Sequence, residues 1–189
     1  MSVLTVNCGS SSLKWSVIDP PETLASGTVQ QVSDHGEALT EVLSRAPHRF
    51  VVSKGPQASE FELADNMWGE EYVPQPALLP LADVVITHAG NNTTTECFHF
   101  GKPMIALPLF WDQYDNAQRV AETGYGIRLP TYEFEDDELL GAIDRLLADD
   151  VLRTRMASIA ERQHSTPGTV TAASLIERLA RDGTPVLRT

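Results

Sequence analysis

Apolar residues along this chain fall into two alternating rhythms. Short runs rich in β-branched and aromatic residues predict strands at residues 3–6, 13–18, 23–29, 49–53, 71–73, 83–87, 103–107 and 126–129. Between and after them the apolar positions switch to helical spacing. Ala38, Leu39, Val42, Leu43 and Ala46 share one face of a helix with Ser33 or Asp34 as its N-cap and Pro47 as its stop. Further helices are predicted at 92–100 and 113–123. Three more close the chain, marked by Leu139, Leu140, Ile143, Leu146 and Leu147, by Leu152, Met156 and Ile159, and by Val170, Ala173, Ile176 and Leu179. The run Asp83-Val84-Val85-Ile86-Thr87 has no polar alternation and reads as a parallel strand buried on both faces. Strands alternating with helices predict an α/β fold with a parallel sheet covered on both faces, in which ligands bind beyond the carboxyl ends of the strands.

Composition narrows the possibilities. With 189 residues the chain has room for one domain, or one and a small appendage. A net charge of −12 argues against a nucleic-acid partner, which needs clustered Lys and Arg, but leaves room for a phosphorylated small ligand held by backbone N–H groups. The acidic stretch from Glu133 to Asp150 reads as a solvated helix face. Cys8 and Cys97 have neither metal-ligand spacing nor a disulfide framework, which fits a reducing compartment. With no leader-like start and no apolar run of membrane-spanning length, a cytoplasmic location without integral membrane association is expected, and no metal or cofactor.

One stretch concentrates chemistry. The strand ending at Thr87 runs into His88-Ala89-Gly90-Asn91-Asn92-Thr93-Thr94-Thr95-Glu96, a strand-to-helix turn with a permissive residue at Gly90 and N-capping side chains at Asn92 and Thr93. Such a helix start presents free N–H groups and a positive dipole end, suited to a pyrophosphate. His88 can donate to a phosphate oxygen there, and Glu96, one turn past Asn92, can accept from a vicinal diol such as a ribose. The next loop ends in Asp112-Gln113, side chains suited to sugar hydroxyls, while Tyr72 and Gln75 place an aromatic ring and an amide where a base could stack. Taken singly these residues have plainer readings. Asp112 could simply cap the following helix, Trp68 and Trp111 are expected to pack, and His48, His99 and His164 show no partner.

Tyr72-x-Pro74-Gln75, His88-x-Gly90-x-Asn92-Thr93-x-x-Glu96, Gly101-x-Pro103, Pro108 and Asp112-Gln113 together resemble the donor-binding signature of UDP-glycosyltransferases of the GT-B fold, in particular the bacterial members that glycosylate macrolides and other natural products. The resemblance extends over about residues 48–180 and implies the Rossmann-like C-terminal half of such an enzyme, a hexosyltransferase. It implies that His88, Gly90, Asn92 and Thr93 contact the pyrophosphate of a UDP- or dTDP-hexose, Glu96 the ribose, Asp112 and Gln113 the transferred sugar, and Tyr72 and Gln75 the base. Ala89 departs from the pattern, since bacterial relatives often carry a second Gly there.

The resemblance also implies a second domain that brings the acceptor pocket and a His general base paired with Asp. Too few residues precede the matching region to form it, so the catalytic residues are unknown and the base is expected in the missing domain. Asp34-His35 does not supply it, because adjacent residues at a helix start do not face each other. Residues 1–45 instead resemble the N-terminus of acetate kinase, carried by the run from Val3 to Asp19 and by Asp34-His35-x-x-Ala38-Leu39. That resemblance implies a candidate phosphate loop at Asn7, Gly9, Ser10, Ser12 and Lys14. The expected organisation is therefore a β-rich segment and helix at 1–45, a nucleotide-sugar-binding domain at 46–182 and a tail at 183–189. The short N-terminal strand would replace the first strand of the transferase domain. A natural fusion, a recombinant chimera and a gene-model error are alternative origins. Three functions compete: a glycosyltransferase acting on a small-molecule acceptor when a partner domain is present, a donor-binding fragment without catalysis, and an acetate-kinase-like phosphotransferase that lacks most of its parts. Self-association through the uncovered interdomain face is a further expectation.

Overall fold

The computed structural model describes residues 3–7, 36–55 and 62–183. The strands expected at 13–18 and 23–29, the N-cap at Ser33 or Asp34, and Gly9, Ser10, Ser12 and Lys14 lie outside the described residues. The six described strands are β1 (Val3–Asn7), β2 (Arg49–Ser53), β3 (Met67–Glu70), β4 (Val84–Thr87), β5 (Met104–Ala106) and β6 (Gly126–Arg128). All pair in parallel, in the order β3-β2-β1-β4-β5-β6. The helices are α1 (36–44), α2 (Gln75–Leu78) followed by a 3-10 turn (Leu79–Leu81), α3 (Asn91–Phe100), α4 (Asp112–Glu122), α5 (Asp136–Ala148), α6 (Asp150–Ser165) and α7 (Gly168–Asp182).

Period-2 alternation in the central strands sorts the core onto two faces. Val84 and Ile86 of β4 and Ile105 of β5 join Leu39, Val42 and Leu43 of α1 with Leu139 and Ile143 of α5. Val85 and Met104 point the other way, onto Leu79, Cys97 of α3 and Val120 of α4. Every residue of β4 is buried, as its unbroken apolar run implies.

The strand order fixes where a ligand can enter. The chain builds outward from β1 through β2 to β3, then returns to lay β4 against the other side of β1. Connections diverge at that point, the place in open parallel sheets where ligands bind beyond the carboxyl ends of the strands. Asn7 and Thr87, the last residues of these strands, are register partners there. The short N-terminal strand thus occupies the centre of the sheet.

Three expectations change. The strand sought at 71–73 lies at Met67–Glu70. Asn66 sets it there: its amide donates to the carbonyls of Leu43, Ala46 and His48, and Gly69 lets the backbone pass where a Cβ would overlap the Val52 carbonyl. The apolar stripe of α7 is left largely uncovered among the described residues, with Val170 61% and Ile176 67% exposed. Trp68 and Trp111, expected to pack, are 53% and 71% exposed, Trp68 on the edge strand and Trp111 in a loop. No helix among the described residues is long and apolar enough to cross a membrane.

Gly126 begins β6 where a Cβ would overlap the Met104 carbonyl of the neighbouring strand. Gly126→Ala is therefore expected to destabilise the fold by about 1–3 kcal/mol, the usual range for overpacking. A lower urea midpoint at unchanged slope will report it.

Candidate functional site

The site is built from the way the chain leaves β4. Thr87 is buried, its hydroxyl accepts from Ala89 N (3.2 Å) and its carbonyl accepts from Leu107 N (2.8 Å), so the turn is tied to the end of β5. Ala89 then takes φ 62°, a left-handed conformation costly to any residue with a Cβ. The permissive position is thus Ala89 rather than Gly90, which has an ordinary φ of −61°. Gly90 is required for a different reason: a Cβ there would overlap Nε2 of His88. That close approach sets the imidazole edge beside Gly90, at the N-terminal end of α3.

Asn92 and Thr93 do not cap α3. Gly90 is the N-cap, no side chain accepts a capping bond, and the first helical hydrogen bond is Thr94 N to Gly90 O at 3.0 Å. The N–H groups of Asn91, Asn92 and Thr93 consequently precede the intrahelical ladder. Asn92 is exposed, whereas Thr93 is buried and faces a different partner. Gln75, at the start of α2, donates its Nε2 to Thr93 Oγ1 (3.1 Å) and to Glu96 Oε2 (2.6 Å). Three residues expected in the site are therefore joined by side-chain hydrogen bonds across 21 positions of sequence. Tyr72 stands nearby in the chain, beyond the end of β3, with its ring 60% exposed.

Asp112 and Gln113 open α4 and behave differently from each other. The N-cap is Trp111, at φ 51°, and Asp112 is the first helical residue, so its carboxylate is not a cap. Asp112 is exposed and accepts from Asn116 Nδ2 at 3.3 Å. Gln113 is buried to 2% exposure, and its Oε1 accepts from Leu109 N (2.8 Å) and Phe110 N (3.2 Å), holding its own loop in shape. Asn116 is the residue sequence reasoning missed. Its amide also donates to Ala89 O at 3.0 Å, which locks α4 to the turn after β4. Its spacing of four from Asp112 on a helix was the available signal.

The three histidines read as partnerless do have partners. His48 Nε2 lies 3.4 Å from Asp144 Oδ1, and the Nε2 atoms of His99 and His164 are 3.2 Å apart where α3 meets α6. Separations of 96 and 65 residues hid both contacts from any local reading. None of the three contacts the turn after β4. Among the described residues there is no group of three or more His, Cys, Asp or Glu side chains arranged to hold a metal ion.

A parallel sheet of this order, with a helix start at its switch point, defines a Rossmann-like α/β domain. The chain belongs to the family described as erythromycin biosynthesis protein CIII-like, C-terminal domain, whose model matches residues 37–179. It is 36% identical to the oleandomycin glycosyltransferase of Streptomyces antibioticus over 116 residues, covering 61% of this chain and 27% of that protein. It is 32% identical to human UDP-glucuronosyltransferase 2B28 over 142 residues, 74% of this chain and 26% of that one. Among solved structures it resembles the glycotransferase of kitacinnamycin, with a TM-score of 0.75 at 27% identity over 94% of this chain and 43% of the other. The chain spans about a quarter of the length of the curated relatives it matches. The family match begins at Glu37 and leaves residues 1–36 outside it.

The Ala89 methyl has a use that offsets its strain. It is fully buried against Ala106 and Ala117, and burying one such carbon stabilises by about 0.8 kcal/mol, against about 1–2 kcal/mol for left-handed backbone. Ala89→Gly is thus expected to shift stability by less than about 1 kcal/mol, whereas Ala89→Val, β-branched and overpacked, should cost about 2–3 kcal/mol by thermal melting.

Cys97 follows Glu96 on the buried side of α3, where burial first and the Glu96 charge second push its thiol well above its ordinary value of 9.0. With Cys8→Ser making it the sole thiol, Cys97 should resist a thiol-reactive dye in the native state and react at once in urea. Because the unfolded thiol ionises near pH 9.0 and the folded one does not, stability should fall as the pH rises past that value. Cys97→Ala should remove that part of the alkaline loss.

Proposed function

We propose that this chain binds a nucleotide-sugar, UDP- or dTDP-linked, as the donor half of a glycosyltransferase that transfers the sugar to a small-molecule hydroxyl. The observation that carries this reading is the bonded set Gln75, Thr93 and Glu96 on a helix whose N-cap lies against His88, at the switch point of the sheet. The oriented N–H groups of α3 and the imidazole suit the charges of a pyrophosphate. Glu96, its second oxygen unclaimed by Gln75, suits the paired hydroxyls of a ribose. Asp112 stands exposed one loop away for the sugar, while Gln113 acts mainly by shaping that loop.

The names of the relatives support the reaction class: they include an oleandomycin glycosyltransferase and an aklavinone 7-beta-L-rhodosaminyltransferase, and one solved neighbour is a glycosyltransferase in complex with dTDP. The acceptor pocket and the general base belong, on this reading, to the part of those proteins that this chain does not span. Donor binding without transfer is then the activity of the chain by itself.

Calorimetry with UDP and dTDP tests the donor site. UDP should bind, and Glu96→Ala should weaken it by about 10- to 100-fold, the usual worth of a hydrogen bond to a charged group. The purified chain should transfer no glucose from UDP-glucose to flavonoid or macrolide acceptors. An affinity for UDP indifferent to Glu96→Ala would remove the donor site as drawn, and steady transfer by the chain alone would remove the separate acceptor domain.

A further inference from the structure

We propose that Trp111 is a specificity-determining residue of this site, its indole the platform on which the hexosyl ring of the donor lies beside the Asp112 carboxylate. The proposal rests on the donor-site reading above and adds what selects the sugar.

Two features of Trp111 run against stability. Its backbone sits at φ 51°, ψ −129°, a region that a residue with a Cβ avoids, and its side chain is 71% exposed, forgoing the burial that normally repays an indole. Neither is left to chance. Buried Gln113 holds Leu109 N and Phe110 N through its Oε1, Tyr114 N donates to the Trp111 carbonyl at 3.2 Å, and the Phe110 ring lies edge-on to the indole at 5.7 Å. These contacts brace the loop while its largest side chain stays in solvent.

The location gives this arrangement a use. Asn116 ties Asp112 and the Ala89 carbonyl together, so the start of α4 is fixed against the turn that carries His88 and α3. Trp111 is the residue immediately before Asp112 on that rim. A pyranose presents an apolar C–H face and a hydroxyl edge at once. A flat electron-rich ring next to a carboxylate offers a surface for the first and an acceptor for the second. A donor nucleotide without its sugar has nothing to place there.

The experiment compares UDP with UDP-glucose, and dTDP with dTDP-glucose, by calorimetry on the full chain and its variants. Trp111→Gly should weaken UDP-glucose by about 3- to 10-fold and leave UDP unchanged, as expected for the loss of one aromatic contact. The same variant should melt at a higher temperature, because glycine takes φ 51° freely. Trp111→Phe should keep most of the preference for the sugar nucleotide. An equal loss for UDP and UDP-glucose, or no loss for either, overturns the sugar platform while leaving the donor site standing. A parent chain that binds neither nucleotide overturns both readings together.

Discussion

Strand β4 is buried on both faces and ends at the centre of the sheet, so the chain must turn out of it within three residues to begin α3. Fast reversal from a fully buried strand is the constraint around which the rest of the carboxyl edge is arranged. It places a left-handed residue at Ala89, forbids a side chain at Gly90 and sets the His88 ring beside Gly90.

Neighbouring elements are fastened to that turn by polar side chains rather than by apolar packing alone. Asn116 anchors α4 to the Ala89 carbonyl and Gln75 ties α2 to Thr93 and Glu96 of α3, while the Leu107 backbone N–H joins the end of β5 to the Thr87 carbonyl. Hydrogen bonds of this kind contribute only about 1 kcal/mol each to stability, yet leaving a buried partner unmade costs more. Their effect is to fix relative position. A helix start is a generic anion site; here an imidazole stands against its N-cap and a carboxylate lies on the same helix at Glu96.

The sequence was most legible where physics is local. Val84-Val85-Ile86 announced a buried parallel strand, the helical spacing of Leu139, Ile143 and Leu146 announced α5, and the motif from His88 to Glu96 marked the turn and helix that form the site. It was least legible where a long-range partner decides. The third strand shifted to Met67–Glu70 because the Asn66 amide gathers three carbonyls from a segment about 20 residues away. The stripe on α7 was read correctly as amphipathic, but amphipathicity states that a face wants a partner and not that one is present. The tryptophans misled for a related reason: large apolar residues pack on average, and only the backbone at Trp111 reveals that this one is held outward.

By itself, the order of residues determined the α/β class, the alternation of strands and helices, and the identity of the side chains that gather at the switch point, because these follow from period, turn chemistry and motif spacing. Tertiary structure decided which of those side chains touch. It joined Gln75 to Thr93 and Glu96, buried Gln113 against its own loop, and moved the strained position from Gly90 to Ala89. The reason is that a contact across 20 residues or more depends on where the sheet places both ends, and strand order is a property of the whole chain that no window of sequence contains.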